Sequence, residues 1–431
     1  MTSAYTSEIS LKDAVEFIVD NRGRSAPIVD SGIKLIATNC ISNKNLYPTN
    51  EQLRYVSSDT YANWFRSHPL PGDIILTNKG SQNGAVCLVP DPVDFCIAQD
   101  MVALRADPEK IYPLYLFAAL RSRLVQERIK QLNVDAVIPH FKKTDFDKLQ
   151  IPLPAPPQQK AIGDFYFQIC EKIELNQQMN ETLEVMARTI FKDWFLIFGP
   201  TRAKAEGQEP YLSPVFWGLF PDALDDEDKP AGWKHGSLLD VATLNPESWS
   251  KKHHPEEIEY VDLANTKWGT IESTQVYKWA DAPSRAQRIL RTGYTIVGTV
   301  RPGNGSYSFV NQDGLTGSTG FAVLGPKTGE YREFVYLAST SPENIERLAH
   351  VADGAAYPAV RPSVVAETEV VLPSDKVITS FSKLVSPLID RMEANKQENA
   401  TLAETRDLLL PKLVSGEIRL REAEKAVEAV A

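Results

Sequence analysis

The stretch Ile151-Pro152-Leu153-Pro154 returns as Val370-Val371-Leu372-Pro373, an offset of 219 residues. The same offset takes Pro139 to Pro358, Asn176 to Asn395, Asn180 to Asn399, and Thr182-Leu183 to Thr401-Leu402. Agreement at one spacing over these positions marks an internal duplication, so the chain has to fold as two related units rather than one continuous core. Upstream the likeness loosens. Gly72-Asp73-Ile74-Ile75 resembles Gly293-Tyr294-Thr295-Ile296, and Asn83-Gly84 resembles Asn304-Gly305, at an offset of 221.

At 431 residues the chain exceeds one typical core, which agrees with two units. The repeat divides it into a first domain over 1–150, a helix over 151–199, a linker over 200–232, a second domain over 233–372, a second helix over 373–420 and a tail over 421–431. In the first domain IKLIAT (33–38), DIILT (73–77) and GAVCLV (84–89) read as strands, and Tyr112 to Leu132 as a helix. In the second, strands are expected near 295–300 and 321–324 and helices near 331–350. Each domain is therefore expected to be mixed α/β. The linker, TRAKAEGQEP to PDALDDEDKPAGW with the aromatics of YLSPVFWGLF between them, is expected to be ordered only in patches.

After each domain comes a heptad seam. Tyr166, Ile169, Ile173, Asn176, Asn180, Leu183, Ala187, Ile190 and Trp194 alternate steps of four and three. So do Phe381, Val385, Leu388, Met392, Asn395, Asn399, Leu402, Arg406, Leu409 and Leu413, after one opening step of four. Prolines 156, 157 and 373 suit the starts, and Gly199-Pro200 and Gly416 the ends. A lone amphipathic helix would pack on its own domain. Duplicated units, however, tend to associate about a pseudo-two-fold axis, and that makes the two helices antiparallel. The seam residues Asn176, Asn180, Asn395 and Asn399 would then fix register and direction. A helix from Gln158 to Phe195 would be about 57 Å long.

Composition narrows the function classes. No run of about eighteen apolar residues is present, and the opening MTSAYTSEISLKDAVEF lacks the order of an export signal, so an unexported protein with no membrane span is expected. Four cysteines without a CxxC pair fit a reduced cytoplasm and argue against a thiolate zinc site. The net charge of -10 argues against a broadly basic nucleic-acid binder. Its distribution is uneven: residues 1–150 hold 17 basic and 17 acidic side chains, while 200–232 hold 3 and 7. No phosphate loop, HExxH, GxSxG or adenine-methyltransferase signature is found, so no catalytic residue is assigned. His253-His254 with His235, and Asp225-Asp226-Glu227-Asp228, read as solvated surface and charged linker, and no metal is expected.

The run IPLPAPPQQKAIGDF, EKIELNQQMNETLEVMARTIFKDWF, FPDALDDEDKPAGW and LVSPLIDRMEANKQENATLAETRDLLLPKLVSGEIRL resembles the specificity (S) subunit of type I restriction-modification systems. The resemblance implies two target-recognition domains, over 1–150 and 233–372, each reading one half of a bipartite site in double-stranded DNA. It further implies that the helices set the gap between the halves and dock two methylation (M) subunits, with restriction/motor (R) subunits in the full complex. The chain itself would be non-catalytic and hold no cofactor; S-adenosylmethionine would sit in the methylation subunit. The alternative is a coiled-coil assembly scaffold whose globular heads bind protein.

Candidate DNA contacts are polar side chains on loops between strands, where groove edges can be reached. Lys79, Ser81, Gln82 and Asn83 lie on one such loop, and Arg301, Asn304 and Ser306 on its counterpart. Lys142 and Lys143, with Arg361 in the second domain, follow the shared proline and suit phosphate. Ordinary polar turns and solvated surface are the competing readings. The aromatics at 191–198 and 216–220 suit either partner docking or core packing.

Overall fold

In the computed structural model the described residues are all but 1–6, 22, 134–137, 355–356, 419 and 429–431. The start of the opening stretch assessed as an export signal thus lies outside them. The chain divides into two compact units, Met1–Gln178 with Gln397–Ala431, and Met179–Lys396. The division falls inside both long helices, Pro156–Phe195 and Asp375–Ser415, so each unit takes part of each.

The first unit holds an antiparallel sheet in the order Val15–Val19, Met101–Ala106, Ile74–Thr77, Val86–Leu88. A second sheet runs Arg54–Val56, Ile33–Ile36, Phe95–Ile97, its last two strands parallel. A ribbon pairs Glu8–Ser10 with Gln150–Pro152, so the two ends of the globular part close on each other. Central strands such as Ile74–Thr77 are buried throughout, which is why they read as unbroken apolar runs rather than alternating ones.

The second unit repeats this plan. Its antiparallel sheet runs Ala242–Leu244, Phe321–Pro326, Thr295–Gly298, Tyr307–Phe309. Its other large sheet has the parallel pair Glu257–Val261 and Leu315–Ser318 at its centre, and Lys234–Ser237 pairs with Glu369–Leu372. The duplication thus extends to the topology of the antiparallel sheet and the closing ribbon, while the second unit adds a strand, Ala286–Ile289, to its other sheet and a hairpin, Thr266–Lys267 with Thr270–Ile271. Ile74 faces Leu88 in one hairpin and Thr295 faces Phe309 in the other, so both arms shift by the same 221 residues and the hairpin loops are equal in length.

Where one helix was expected over Tyr112 to Leu132 there are two, Pro113–Arg121 and Arg123–Gln131. Ser122 takes an extended ψ of 144° and its Oγ accepts from the Val125 amide, so the residue breaks one helix by capping the next. Ser341 does the same between Arg332–Ser339 and Pro342–His350.

In the first unit the seam is apolar at Ile169, Ile173 and Leu402 and polar at Asn176, whose Nδ2 donates to Asn399 Oδ1 at 2.9 Å and Glu398 Oε2 at 2.8 Å. Asn399 donates in turn to the Ile173 carbonyl. In the second unit Asn395 Nδ2 donates to Asn180 Oδ1 at 2.8 Å and Asn180 to the Met392 carbonyl. Within each unit the helix segments are antiparallel, as expected. Both units also share one register: four residues up the first helix, from 176 to 180, correspond to four residues down the second, from 399 to 395.

Two expectations change. The linker over 200–232 is more ordered than patches. Gly199–Ala205 and Pro214–Trp217 are helical, Gly199-Pro200 opens a helix besides ending one, and Lys229 gathers the acidic turn through Asp225 and Glu227, each at 2.5 Å. The tail is helical over Leu420–Glu428, with Ala423 buried in the core of the first unit. Phe191, Trp194, Phe195, Phe198 and Phe220 are buried with Trp233, Phe334 and Phe381 in the second unit, so these aromatics are core. Burial of each such ring contributes roughly 2–3 kcal/mol. Phe216 is only partly buried, and Trp217 stacks its edge on Tyr211.

Candidate nucleic-acid interface

Each hairpin between the third and fourth strands of the antiparallel sheet carries a candidate loop, and each loop is built the same way. In the first unit the Asn83 amide donates to the Gly80 carbonyl at 3.0 Å; in the second the Asn304 amide donates to the Arg301 carbonyl at 2.9 Å. Gly84 and Gly305 both have positive φ, 91° and 69°. So do Gly80 at 95° and Arg301 at 48°. Glycine adopts this conformation freely, whereas a side chain there costs about 1–3 kcal/mol and persists only where the surroundings hold it.

The proline-led segments, placed separately by sequence, join these loops. The Gly80 amide donates to the Pro139 carbonyl at 2.9 Å, and the Phe141 amide to the Asn78 carbonyl at 2.9 Å. In the second unit the Arg301 amide donates to the Pro358 carbonyl at 2.7 Å, and Val360 to Thr299 at 2.9 Å. Phe141 and Val360 are buried and anchor the segments; Lys142, Lys143 and Arg361, which follow them, are exposed. Lys79, Ser81, Gln82, Asn83, Lys142 and Lys143 therefore belong to one surface of the first unit. Arg301, Asn304 and Arg361 belong to one surface of the second.

Not every named side chain is available there. Ser306 is buried and its hydroxyl donates to the Leu263 carbonyl at 3.0 Å, which corrects its placement among exposed readers. Asn83 braces the loop, donating to Asn133 Oδ1 and accepting from the Phe141 amide. Lys79 lies 3.9 Å from Asp100, and Lys143 is 2.5 Å from Asp20. Ser81, Gln82, Lys142, Arg301, Asn304 and Arg361 remain exposed.

Three further residues at these surfaces escaped the sequence reading. Tyr357, 72% exposed, lies under the Arg301 guanidinium at 4.8 Å and occupies the place of exposed Ile138 in the first unit. Asp100 has φ 71° and its carbonyl accepts from the Asn78 amide at 3.0 Å. Trp268 has φ 46° at the tip of the hairpin Thr266–Lys267/Thr270–Ile271. Its signal was a Trp-Gly pair between two short β-prone runs, but tight hairpin turns favour Asn-Gly or Asp-Gly. The indole rests on Gly305, where a Cβ would come within 2.5 Å of the ring, and meets the edge of Tyr307 at 6.0 Å. Burial pushes the Tyr307 hydroxyl above its usual range.

The three histidines of the sequence reading do other work. His254 stacks on Trp279 at 4.4 Å, His253 tilts toward Trp249 at 6.2 Å, and His235 lies 3.6 Å from Glu227. Among the described residues no helix is long and apolar enough to cross a membrane, and Cys40, Cys87, Cys96 and Cys170 are buried free thiols.

Residues 31–185 match the family model described as the type I restriction modification DNA specificity domain. The chain is 24% identical over 400 residues to the HindI specificity subunit of Haemophilus influenzae, spanning 80% of this chain and 86% of that protein. It is 25% identical over 323 residues to the MjaIX specificity subunit of Methanocaldococcus jannaschii, spanning 72% and 69%. Its fold is similar to the crystal structure of the S subunit from the type I restriction-modification system of M. genitalium, at a TM-score of 0.57 and 17% identity, over 96% of this chain and 97% of that one.

Proposed function

We propose that this chain belongs to the specificity-subunit family of type I restriction-modification systems, supplies the DNA sequence preference of such a complex and performs no chemistry itself. One observation carries the reading: two loops of equal length and equal backbone course, each joined to its proline-led segment, present different side chains in the two units. Similar frames with dissimilar polar faces suit two different half-sites of one duplex. The relatives, both named as specificity subunits, do not favour the assembly-scaffold reading.

In this reading Lys142, Lys143 and Arg361 hold phosphate, while Gln82, Arg301 and Asn304 face base edges. The continuous helices set the spacing between half-sites, the Asn pairs hold their register, and exposed apolar residues of the helices, such as Leu175, Met179 and Met186, dock two methylation subunits. Restriction subunits complete the assembly. S-adenosylmethionine belongs to the methylation subunit, which also supplies the positive surface that a chain of net charge -10 lacks. The four free thiols suit a reducing cytoplasm.

Methylome sequencing of cells with and without this chain, after co-purification of its methyltransferase-like partner, tests the proposal. A bipartite methylated site that disappears with the chain is expected. Persistence of every methylated site without it overturns the reading.

A further inference from the structure

Trp268 is the residue of the second unit's candidate interface that is least explained by folding. A bulky side chain with φ 46° is a conformational outlier, and this one leaves 59% of its surface exposed rather than filling a core. Its position is nevertheless fixed from several sides. The Trp268 amide donates to the Gly305 carbonyl at 2.7 Å and the Gly269 amide to the Tyr307 carbonyl at 2.9 Å. The Gly269 carbonyl accepts from Lys396 Nζ at 2.6 Å and from Ser308 Oγ at 3.1 Å. One indole face is spent on Gly305, which carries no Cβ to displace it.

The ring is therefore seated on the loop that carries Arg301 and Asn304, against Gly305 and the edge of Tyr307. Among the described residues of the first unit no aromatic ring takes this place: at the matching Gly84, a Cβ would meet the side-chain oxygen Oε1 of Gln126 at 3.0 Å. The feature belongs to the part of the duplication that differs between the heads.

We propose that Trp268 is a specificity-determining contact of the second unit, its exposed indole meeting the 5-methyl group of a thymine in the half-site that this unit reads. The proposal rests on the DNA-specificity reading above. Positive charge on Arg301 and Arg361 and the amide of Asn304 make the surrounding surface complementary to duplex DNA. Within it, a large apolar face carried on a backbone fixed by hydrogen bonds and seated on Gly305 suits the one apolar group on a major-groove edge.

The test uses the full-length chain in complex with its co-purified methyltransferase-like partner. The wild-type complex first selects its site from a random duplex library. Each thymine of the second unit's half-site is then replaced in turn by deoxyuridine, which lacks only the methyl group. One replacement is expected to weaken wild-type binding about tenfold and to have no effect on Trp268→Ala. That variant should lose preference at the same position only, with the other half-site and the unfolding temperature unchanged, while Trp268→Phe retains part of the preference. If wild type tolerates deoxyuridine at every position, or the half-site contains no thymine, the proposal is overturned even should Trp268→Ala fail to fold. A uniform loss of affinity in Trp268→Ala with preference intact overturns it too. Failure of the wild-type complex to select any bipartite site would instead overturn the reading on which it rests.

Discussion

Asn395 is fully buried between the helices of the second unit, and its Nδ2 donates to Asn180 Oδ1 at 2.8 Å while its own Oδ1 has no hydrogen-bond partner. A buried amide already short of one partner is sensitive to losing the other. Asn180→Leu alone strands the donor and should cost about 1–3 kcal/mol in urea unfolding. Asn180→Leu with Asn395→Leu replaces both by seam-compatible side chains and should return stability to wild type or above, at the expense of the register constraint. A double variant less stable than the single one would show that the pair stabilises the fold.

Gly163 lies inside the first long helix, where glycine is normally a liability. A Cβ there would stand 2.6 Å from the Tyr115 nitrogen and 2.8 Å from the Leu114 carbonyl carbon, both backbone atoms of the helix Pro113–Arg121. Higher helix propensity cannot offset that overlap. Gly163→Ala should destabilise the protein by about 1–3 kcal/mol in thermal unfolding, against the gain of about 1 kcal/mol expected at an exposed helical site. A raised melting temperature would contradict this close approach.

Much of the architecture was legible because it is periodic. The heptad steps located both helices and their buried asparagines, and one offset linked domains whose sequences have diverged. What escaped was set by tertiary context. The break at Ser122 lies in a stretch of helix-forming residues and is made by a cap. The reason for Gly163 is the backbone of another element. Ser306 looked like a polar loop residue but turns inward to Leu263. Trp268 sits where propensity argues against it, and only the glycine beneath its ring makes the position intelligible. The joining of the two candidate surfaces in each unit could not be foreseen, since the backbone bonds from Gly80 to Pro139 and from Arg301 to Pro358 leave no trace in side-chain type.

Glu393 gives a pH dependence. Burial raises its carboxyl above the usual range, and the neighbouring Lys396 ammonium at 2.6 Å only partly opposes this. A raised folded-state value means that the native protein holds this proton more tightly than the unfolded chain. The associated stability is present below the unfolded value and is lost as pH rises through the folded one. Glu393→Gln keeps the shape without the charge. The urea midpoint of wild type should fall relative to Glu393→Gln as pH rises through and beyond the ordinary carboxylate range. Parallel midpoint profiles for the two proteins would refute the assignment.

Lys142 and Lys143 follow the same buried Phe141 yet are not equivalent. Lys143 lies 2.5 Å from Asp20, so its charge is already partly compensated, while Lys142 is exposed. If both face phosphate, Lys142→Ala should weaken DNA binding by the assembled complex across all sequences. It should also reduce the slope of log affinity against log salt by about 0.9, with a smaller change for Lys143→Ala. Arg301→Ala should behave differently, because a guanidinium at a base edge discriminates by about 1–3 kcal/mol. It should lower affinity for the cognate site, relax preference at one position of one half-site, and leave non-specific binding nearly unchanged. Binding titrations on cognate and scrambled duplexes at several salt concentrations separate the two patterns. Equal losses on both duplexes for Arg301→Ala would move that residue from base reading to phosphate contact.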